Sequence, residues 1–301
     1  MYKNTARNGR PTSQTPGQVR ALLESNGIRA SKALGQNFLI DMDIPQKMAR
    51  LAGIGPDSGV LEIGPGLGAL TRFLADKAGH VAAVELDARL VLILHELFSG
   101  VPTVDIIQGD ILKMDIAGLV KDKLPGLAWS VCANLPYSIT TPVLAAIIDS
   151  GVFESVTVMV QREVAGRMTA EPGTPGYGAL TVFIKYHTVP EILFDAPPEC
   201  FYPKPEVCST VVRMNTLGKR LPGPEDEAFF FRVVKAAFSQ RRKTLVNALC
   251  ASFGCELGKG QIIEIVRKRT FDDKIRGEML GVDEFIGLSG DLKPVIEKER
   301  K

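Results

Sequence analysis

The tetrapeptide Asn134-Leu135-Pro136-Tyr137 follows an apolar run, Ala128 to Ala133, and lies downstream of a glycine-rich turn, Glu62-Ile63-Gly64-Pro65-Gly66-Leu67-Gly68. An Asn/Pro/aromatic turn at a strand end offers carbonyl oxygens and a ring face to a planar, amino-substituted base. The exocyclic amine of adenine is a poor nucleophile because its lone pair is delocalised into the ring. Hydrogen bonds from its N–H groups to Asn134 Oδ1 and to the Leu135 carbonyl would localise that pair, so no strong base is essential. Methyl transfer from a sulfonium is already downhill, and alignment of amine, carbon and sulfur supplies most of the remaining acceleration. Tyr137 can stack on one face of an extruded base, and Phe201, in Phe201-Tyr202-Pro203-Lys204-Pro205-Glu206-Val207, on the other.

The glycine turn would hold the group to be transferred. Gly64, Gly66 and Gly68 follow an apolar strand and precede a helical pattern, which permits close backbone approach to a ligand at a helix N-terminus. Their spacing is G-x-G-x-G rather than the G-x-G-x-x-G of dinucleotide sites. Glu62 just before the turn suits a cofactor with a cationic amino-acid end better than a pyrophosphate. Glu85 ends the next strand, where an acid accepts from both ribose hydroxyls. Asp110, in Gln108-Gly109-Asp110-Ile111, follows the strand after that and could accept from an adenine amino group. Any one of these acids also fits a strand-end cap; three at three successive strand ends favour a nucleoside site.

The elements that must position these groups alternate. Runs of β-branched and apolar residues at Val60 to Ile63, Val81 to Glu85, Val104 to Gln108, Ala128 to Ala133 and Val156 to Gln161 are interleaved with helical patterns at Ala69 to Lys77, Ala88 to Phe98, Thr141 to Asp149 and Glu163 to Met168. Such βα repetition builds a parallel sheet covered on both faces, with ligands at the carboxyl ends of the strands. A short helix capped at Thr15-Pro16 and ended by Gly27 precedes it. Glu171 to Gly176 reads as a mobile loop, and Leu180 to Tyr186, Ile192 to Phe194 and Thr210 to Met214 read as further strands. From about Pro222 the pattern becomes helical, at Glu225 to Phe238, Lys243 to Phe253, Gly260 to Lys268 and Asp283 to Leu288.

The 301 residues suffice for one large domain or for a large and a small one, with a true core. Five cysteines form no Cys-x-x-Cys pair and lie partly in apolar runs, which suits a reducing compartment, the cytoplasm, rather than a disulfide or zinc framework. The three histidines, His80, His95 and His187, show no metal spacing. The N-terminal segment has no apolar core of a secretory signal and no apolar stretch reaches membrane-spanning length, so a soluble protein is expected. Residues 1 to about 15 have the polar, Gly- and Pro-containing composition of a disordered tail.

Net charge is only +2, but it is unevenly spread: +5 over residues 1 to 35, −8 over 36 to 200 and +5 over 201 to 301. A polyanion would be held by the two ends and meet the acidic middle only at the active site; a solvated surface with chance unevenness gives the same counts. Arg241-Arg242-Lys243, between two helical patterns, is read as RNA-facing or domain-bridging. Arg267-Lys268-Arg269 fits helix capping as well as RNA contact. Cys132 reads as a buried strand residue, and Arg162-Glu163 as a helix start.

With these residues in place, the chain closely resembles the KsgA-type (RsmA) small-subunit ribosomal RNA adenine dimethyltransferases. The resemblance runs from about Lys32 into the helical C-terminus and rests on Gly35-Gln-Asn-Phe-Leu39, Glu62 to Gly68, Gly109-Asp110, Asn134 to Tyr137, Gln161-Arg-Glu-Val-Ala165, Phe201 to Val207 and Phe238-Ser-Gln-Arg-Arg-Lys243, in that order. It implies an α/β fold, a Rossmann-like class I methyltransferase sheet over 16–215, with a smaller all-helical domain for RNA or ribosome binding over 216–301. It implies S-adenosylmethionine as methyl donor, without a metal. The acceptors would be two adjacent adenines in the hairpin loop near the 3′ end of 16S rRNA, each dimethylated at its 6-amino group, in the immature 30S subunit and during its late assembly. Gln36, Asn37, Leu39, Gly64, Gly66, Glu85, Asp110, Ile111 and Asn134 would line the donor pocket. Asn134, Leu135, Pro136, Tyr137 and Phe201 would hold the base, and Arg241, Arg242 and Lys243 the RNA, in a monomeric protein. Cys208 stands where the family often has an acid.

Three other readings share some of these features. A 23S rRNA adenine methyltransferase of the macrolide-resistance kind has the same fold but usually carries Ile at the position of Leu135. An assembly factor with secondary enzymatic activity would not need Glu85, Asp110 and Asn134 together. A small-molecule methyltransferase would need neither the basic flanks nor the Phe201 segment.

Overall fold

The computed structural model describes residues 13–31, 35–123, 126–218 and 226–299, and of residues 121–123 only the backbone. Residues 1–12, most of the expected tail, lie outside the described residues, as do Pro222 and Glu225. Ser13 to Thr15 are ordered, contrary to the composition. The Gln14 amide donates to the Ile40 carbonyl at 2.8 Å, Ser13 Oγ accepts from the Met42 amide at 3.2 Å, and Thr15 caps the first helix through the Gln18 amide.

The elements in chain order are α1 (Pro16–Ser25), β1 (Phe38–Leu39), α2 (Asp43–Leu51), β2 (Ser58–Ile63), α3 (Thr71–Ala75), β3 (His80–Glu85), α4 (Ala88–Leu97), β4 (Val104–Gln108), α5 (Ile116–Lys123), β5 (Ala128–Asn134), α6 (Thr140–Asp149), β6 (Ser155–Gln161), α7 (Arg162–Thr169), α8 (Ala179–His187), β7 (Thr188–Ala196), β8 (Phe201–Tyr202), β9 (Ser209–Thr216), α9 (Glu227–Phe238), α10 (Leu245–Phe253), α11 (Lys259–Lys268) and α12 (Val282–Glu299). They fall into two compact units, one of residues 13–165 and 191–216 within the described chain, the other of 166–190 and 217–299. A single cut at 215/216 therefore does not describe the chain, because Gly166–Pro190 lies with the helices.

The first unit is built on a seven-stranded sheet of order β4-β3-β2-β5-β6-β9-β7. β2 to β6 run parallel to one another, and β9 runs antiparallel to β6. β2, β3 and β6 are buried along nearly their whole length, the pattern of strands covered on both faces. On one face, alternate residues Val60, Val81, Ala83, Cys132, Met159 and Val211 pack with Met48 and Ala49 of α2 and with Phe73 and Leu74 of α3. Cys132 is thus a buried strand residue. A separate two-residue ladder joins β1 to β8, pairing Phe38 with Tyr202 and Leu39 with Phe201.

This ladder decides the fate of Phe201. The ring, expected to stack on a base, is 2% exposed and packs in the core cluster with Leu39, Met42, Cys200 and Val211. In this position the ring lines the core rather than the cleft and presents no open face on which a base could stack, contrary to the expectation.

In the second unit, α8 to α12 surround Phe230, Phe253 and Phe285, all fully buried. Asp226 caps α9 through the Phe229 amide, and Thr244 caps α10 through the Asn247 amide. Leu180 to Tyr186, expected to be a strand, is helical: the Gly178 amide donates to Thr181 Oγ1 at the first turn, and Val182 and Tyr186 face the helical core. α12 continues well beyond Leu288. The segment expected to be mobile is tied down. The Gly173 amide donates to the Glu278 carbonyl, Tyr177 Oη donates to the Leu280 carbonyl, and Lys185 pairs with Glu171 at 2.6 Å.

Phe201→Ala is expected to lower unfolding free energy by about 3–5 kcal/mol, the cost of emptying a buried aromatic site, in urea or guanidinium denaturation. A loss below about 1 kcal/mol would show that the ring is not a core residue.

Candidate active site

Parallel pairing brings the exits of β3, β2 and β5 side by side, and the chain leaves each exit with a different chemical group. At the exit of β2 the turn Gly64 to Gly68 is left-handed at Gly64, Gly66 and Gly68. A Cβ at Gly68 would lie 2.8 Å from the Phe98 ring, and one at Gly66 3.2 Å from the Phe38 ring, so both glycines are required by conformation and by space.

β3 delivers Glu85. Its Oε2 accepts from the Gly66 amide at 3.1 Å and its Oε1 from the Asp87 amide at 2.9 Å. The carboxylate thus braces the glycine turn and keeps lone pairs for a diol. Burial raises its pKa, against these hydrogen bonds. Asp87, which sequence reasoning passed over, caps α4 through the Arg89 amide and holds the Arg89 guanidinium at 2.6 Å. That hydrogen-bonded guanidinium lowers its pKa. Asp87 Oδ2 also accepts from Gln36 Nε2 at 3.3 Å, which fixes one wall of the cleft. The available signal was the Asp-Ala-Arg helix start two residues after Glu85.

Asp110 Oδ1 accepts from the Leu112 amide at 3.1 Å, and its Oδ2 lies 3.3 Å from Lys113 Nζ. It caps a 3-10 turn and lines the cleft at the same time. At the exit of β5, Asn134 Nδ2 donates to the Asn37 carbonyl at 3.5 Å, leaving Oδ1 as the acceptor. The Leu135 amide extends the β5–β6 ladder to the Met159 carbonyl, and its side chain is buried. Tyr137 is partly exposed on the cleft, with its Oη 2.5 Å from Ser209 Oγ. Burial raises the Tyr137 pKa, so the phenol is neutral at physiological pH.

One cleft is lined by Gln36, Asn37, Leu39, Gly64, Gly66, Glu85, Asp110 and Ile111, and by Asn134 through Tyr137. Phe38, Leu86 and Ser138 join them without having been singled out, and Phe201 does not. Glu62 also lines it, with Oε2 buried and without a hydrogen-bond partner. Burial, offset in part by the neighbouring Thr71 hydroxyl and reinforced by Glu85, pushes the Glu62 carboxyl up to about 8. A glycine cradle, a braced diol acceptor and a buried acidic oxygen without a hydrogen-bond partner fit a nucleoside that carries an amino-acid ammonium group.

In the second unit Arg241 is already engaged, by Glu278 at 3.5 Å and by donation to the Pro175 carbonyl. Arg242 and Lys243 are exposed and have no partner among the described residues. The Arg267 to Arg269 cluster is internally paired: Arg267 with Asp273, and Lys268 and Arg269 with Asp291.

A sheet with this strand order, carrying a glycine turn, a ribose-type acid and an Asn-Leu-Pro-Tyr turn at adjacent exits, defines a Rossmann-like methyltransferase. Residues 27–286 match the family model of the ribosomal RNA adenine dimethylases. The ribosomal RNA small subunit methyltransferase A of Moorella thermoacetica is 45% identical over 287 residues, 93% of this chain and 98% of that protein. Its counterpart in Lactiplantibacillus plantarum is 44% identical over 280 residues, 92% and 95% of the two chains. The chain belongs to the ribosomal RNA adenine dimethylase family. Its fold is shared with a dimethyladenosine transferase from Plasmodium falciparum (TM-score 0.73, 22% identity, 86% of this chain and 98% of that one). It is shared also with the 23S rRNA methyltransferase ErmE (TM-score 0.65, 25% identity, 85% and 100%).

The raised Glu62 pKa sets a pH dependence. Relative to the ordinary carboxylate value of 4.5 the native state binds the proton more tightly, so this group's contribution to stability is complete below about pH 4.5 and is lost as pH rises through about 8. Glu62→Gln is expected to melt with wild type near pH 5 and above it at pH 9. Parallel melting curves at both pH values would show that Glu62 is not held neutral.

Proposed function

We propose that the protein dimethylates the 6-amino groups of two adjacent adenines in the 3′-terminal hairpin loop of 16S rRNA, in the immature 30S subunit late in its assembly. The observation that carries this reading is the amide of Asn134, with Oδ1 left free to accept, at the rim that joins the glycine cradle to Tyr137. S-adenosylmethionine would supply an electrophilic methyl group on a sulfonium. Glu85 would accept from its ribose hydroxyls, Asp110 from its adenine amino group, and Glu62 would face its ammonium. Gln36, Asn37, Leu39, Gly64, Gly66 and Ile111 would close around it.

On the acceptor side, Asn134 Oδ1 and the Leu135 carbonyl hold the N–H groups of the extruded adenine, which directs the nitrogen lone pair out of the ring plane. Pro136 keeps the turn rigid, and Tyr137 covers one base face. Positioning supplies the acceleration, with no side chain needed as a strong base. Arg242 and Lys243 are the phosphate contacts, with Arg241 bracing their loop from behind. Preference for the small subunit over 23S rRNA is supported by Leu135 and by the identity to the small-subunit relatives over nearly the whole chain. The protein acts in the cytoplasm, as a monomer, on ribosomal particles; among the described residues no helix is long and apolar enough to cross a membrane.

With labelled donor, Asn134→Ala is expected to abolish transfer to immature 30S particles lacking the modification, while particle binding is retained; preferential methylation of free 23S RNA by the wild type would overturn the substrate assignment. Glu85→Ala is expected to weaken donor binding far more than RNA binding in calorimetry, and equal loss of both would contradict a ribose role.

A further inference from the structure

The 201–209 segment buries Phe201 in the core at one end and reaches Tyr137 at the other. Ser209 is fully buried, and its Oγ lies 2.5 Å from the Tyr137 phenol oxygen, with either hydroxyl able to donate. The backbone that carries Ser209 is held on both sides. Ser209 pairs with Gln161 at the last rung of the β6–β9 ladder, and the ladder is continued by the Arg162 amide, which donates to the Cys208 carbonyl at 3.0 Å. The other end of the tyrosine is held as firmly. The Pro136 carbonyl accepts from Thr140 Oγ1 at 3.1 Å and from the Ile139 amide at 3.2 Å. Gly35 lies against the same turn, where a Cβ would come within 3.4 Å of the Tyr137 nitrogen.

We propose that Ser209 is a positioning residue for the acceptor base: by tethering the phenol oxygen of Tyr137 to β9, it fixes the plane of the ring on which the base is laid. The proposal rests on the reading of Tyr137 as the base-covering ring. A ring fixed only at its backbone end can change rotamer and swing its face away from the cleft. Fixed at the phenol end as well, it keeps one plane before substrate arrives, and the base meets a preformed surface. Because burial keeps the phenol neutral, the tether is a pair of neutral hydroxyls and is insensitive to pH across the physiological range. A merely structural role, two buried hydroxyls satisfying one another, would cost stability when broken and leave substrate recognition unchanged.

The test is steady-state methylation of immature 30S particles by Ser209→Ala, Tyr137→Phe, the double variant and Tyr137→Ala, with donor affinity and melting temperature measured for each. Ser209→Ala and Tyr137→Phe are each expected to raise KM for the particle about tenfold, with donor affinity unchanged, and the double variant to be no worse than either single. Unchanged KM in both single variants, or effects that multiply in the double, would overturn the tether. If Ser209→Ala does not fold, Tyr137→Phe alone decides, since it removes the same hydrogen bond and leaves the ring. Tyr137→Ala separates the two ideas. Wild-type KM and kcat in that variant would defeat the base-covering reading itself, whereas impairment there with normal Ser209→Ala and Tyr137→Phe would defeat the tether alone.

Discussion

The site depends on the in-register parallel pairing of β3, β2 and β5. Each of these strands alone ends in an unremarkable place: an acid, a glycine turn, an asparagine. Hydrogen-bonded side by side, with Ile63 level with Val84 and Leu61 level with Val131, they set the three exits along one edge of the sheet. Because side chains alternate along a strand, a slip of one residue in either pairing would send Glu85 or Asn134 to the opposite face. The hydrophobic faces above and below specify that register. The same residues that make the core, among them Val60, Val81 and Cys132, therefore determine the geometry of the cleft.

That geometry concentrates acids in a buried place. Burial disfavours the charge on both Glu62 and Glu85, and Glu85 adds to the effect on Glu62. Glu85 is compensated by two backbone amides, whereas the second oxygen of Glu62 has no hydrogen-bond partner. Such an unmet demand is costly in the free protein and favourable toward a cation.

Much of this was legible in the chain because the signals are local. The G-x-G-x-G spacing, the acids that close apolar runs and the Asn-Leu-Pro-Tyr turn each occupy a few consecutive residues, and the βα alternation around them dictates which end of the sheet they share. The failures have the opposite character. Thr181 to Ile184 is rich in β-branched and aromatic residues and so resembles a strand, but its burial among Phe230 and its neighbours makes it helical. Nothing adjacent to Phe201 reveals that Leu39, from the far N-terminal end of the sheet unit, pairs with it and turns the ring into the core. The basic triplet at Arg267 fitted helix capping and RNA contact equally well in the sequence, because Asp291, which pairs with Lys268 and Arg269, lies 23 and 22 positions further on. The contact of Tyr137 with Ser209 spans 72 positions and leaves no pattern in either neighbourhood.

The direction of β9 has a further effect. In a doubly wound sheet only strand exits reach the ligand edge, so residues recruited there must each come just after a strand. β9 runs the other way beside β6, and its first residue, not its last, stands at that edge. The reversal opens the rim to an incoming segment of chain, so that a loop arriving from outside the α/β repeat can be anchored against the turn that follows β5. A parallel strand in the same place would have presented Asn215 and Thr216 there, and the loop before it would have ended at the far side of the sheet.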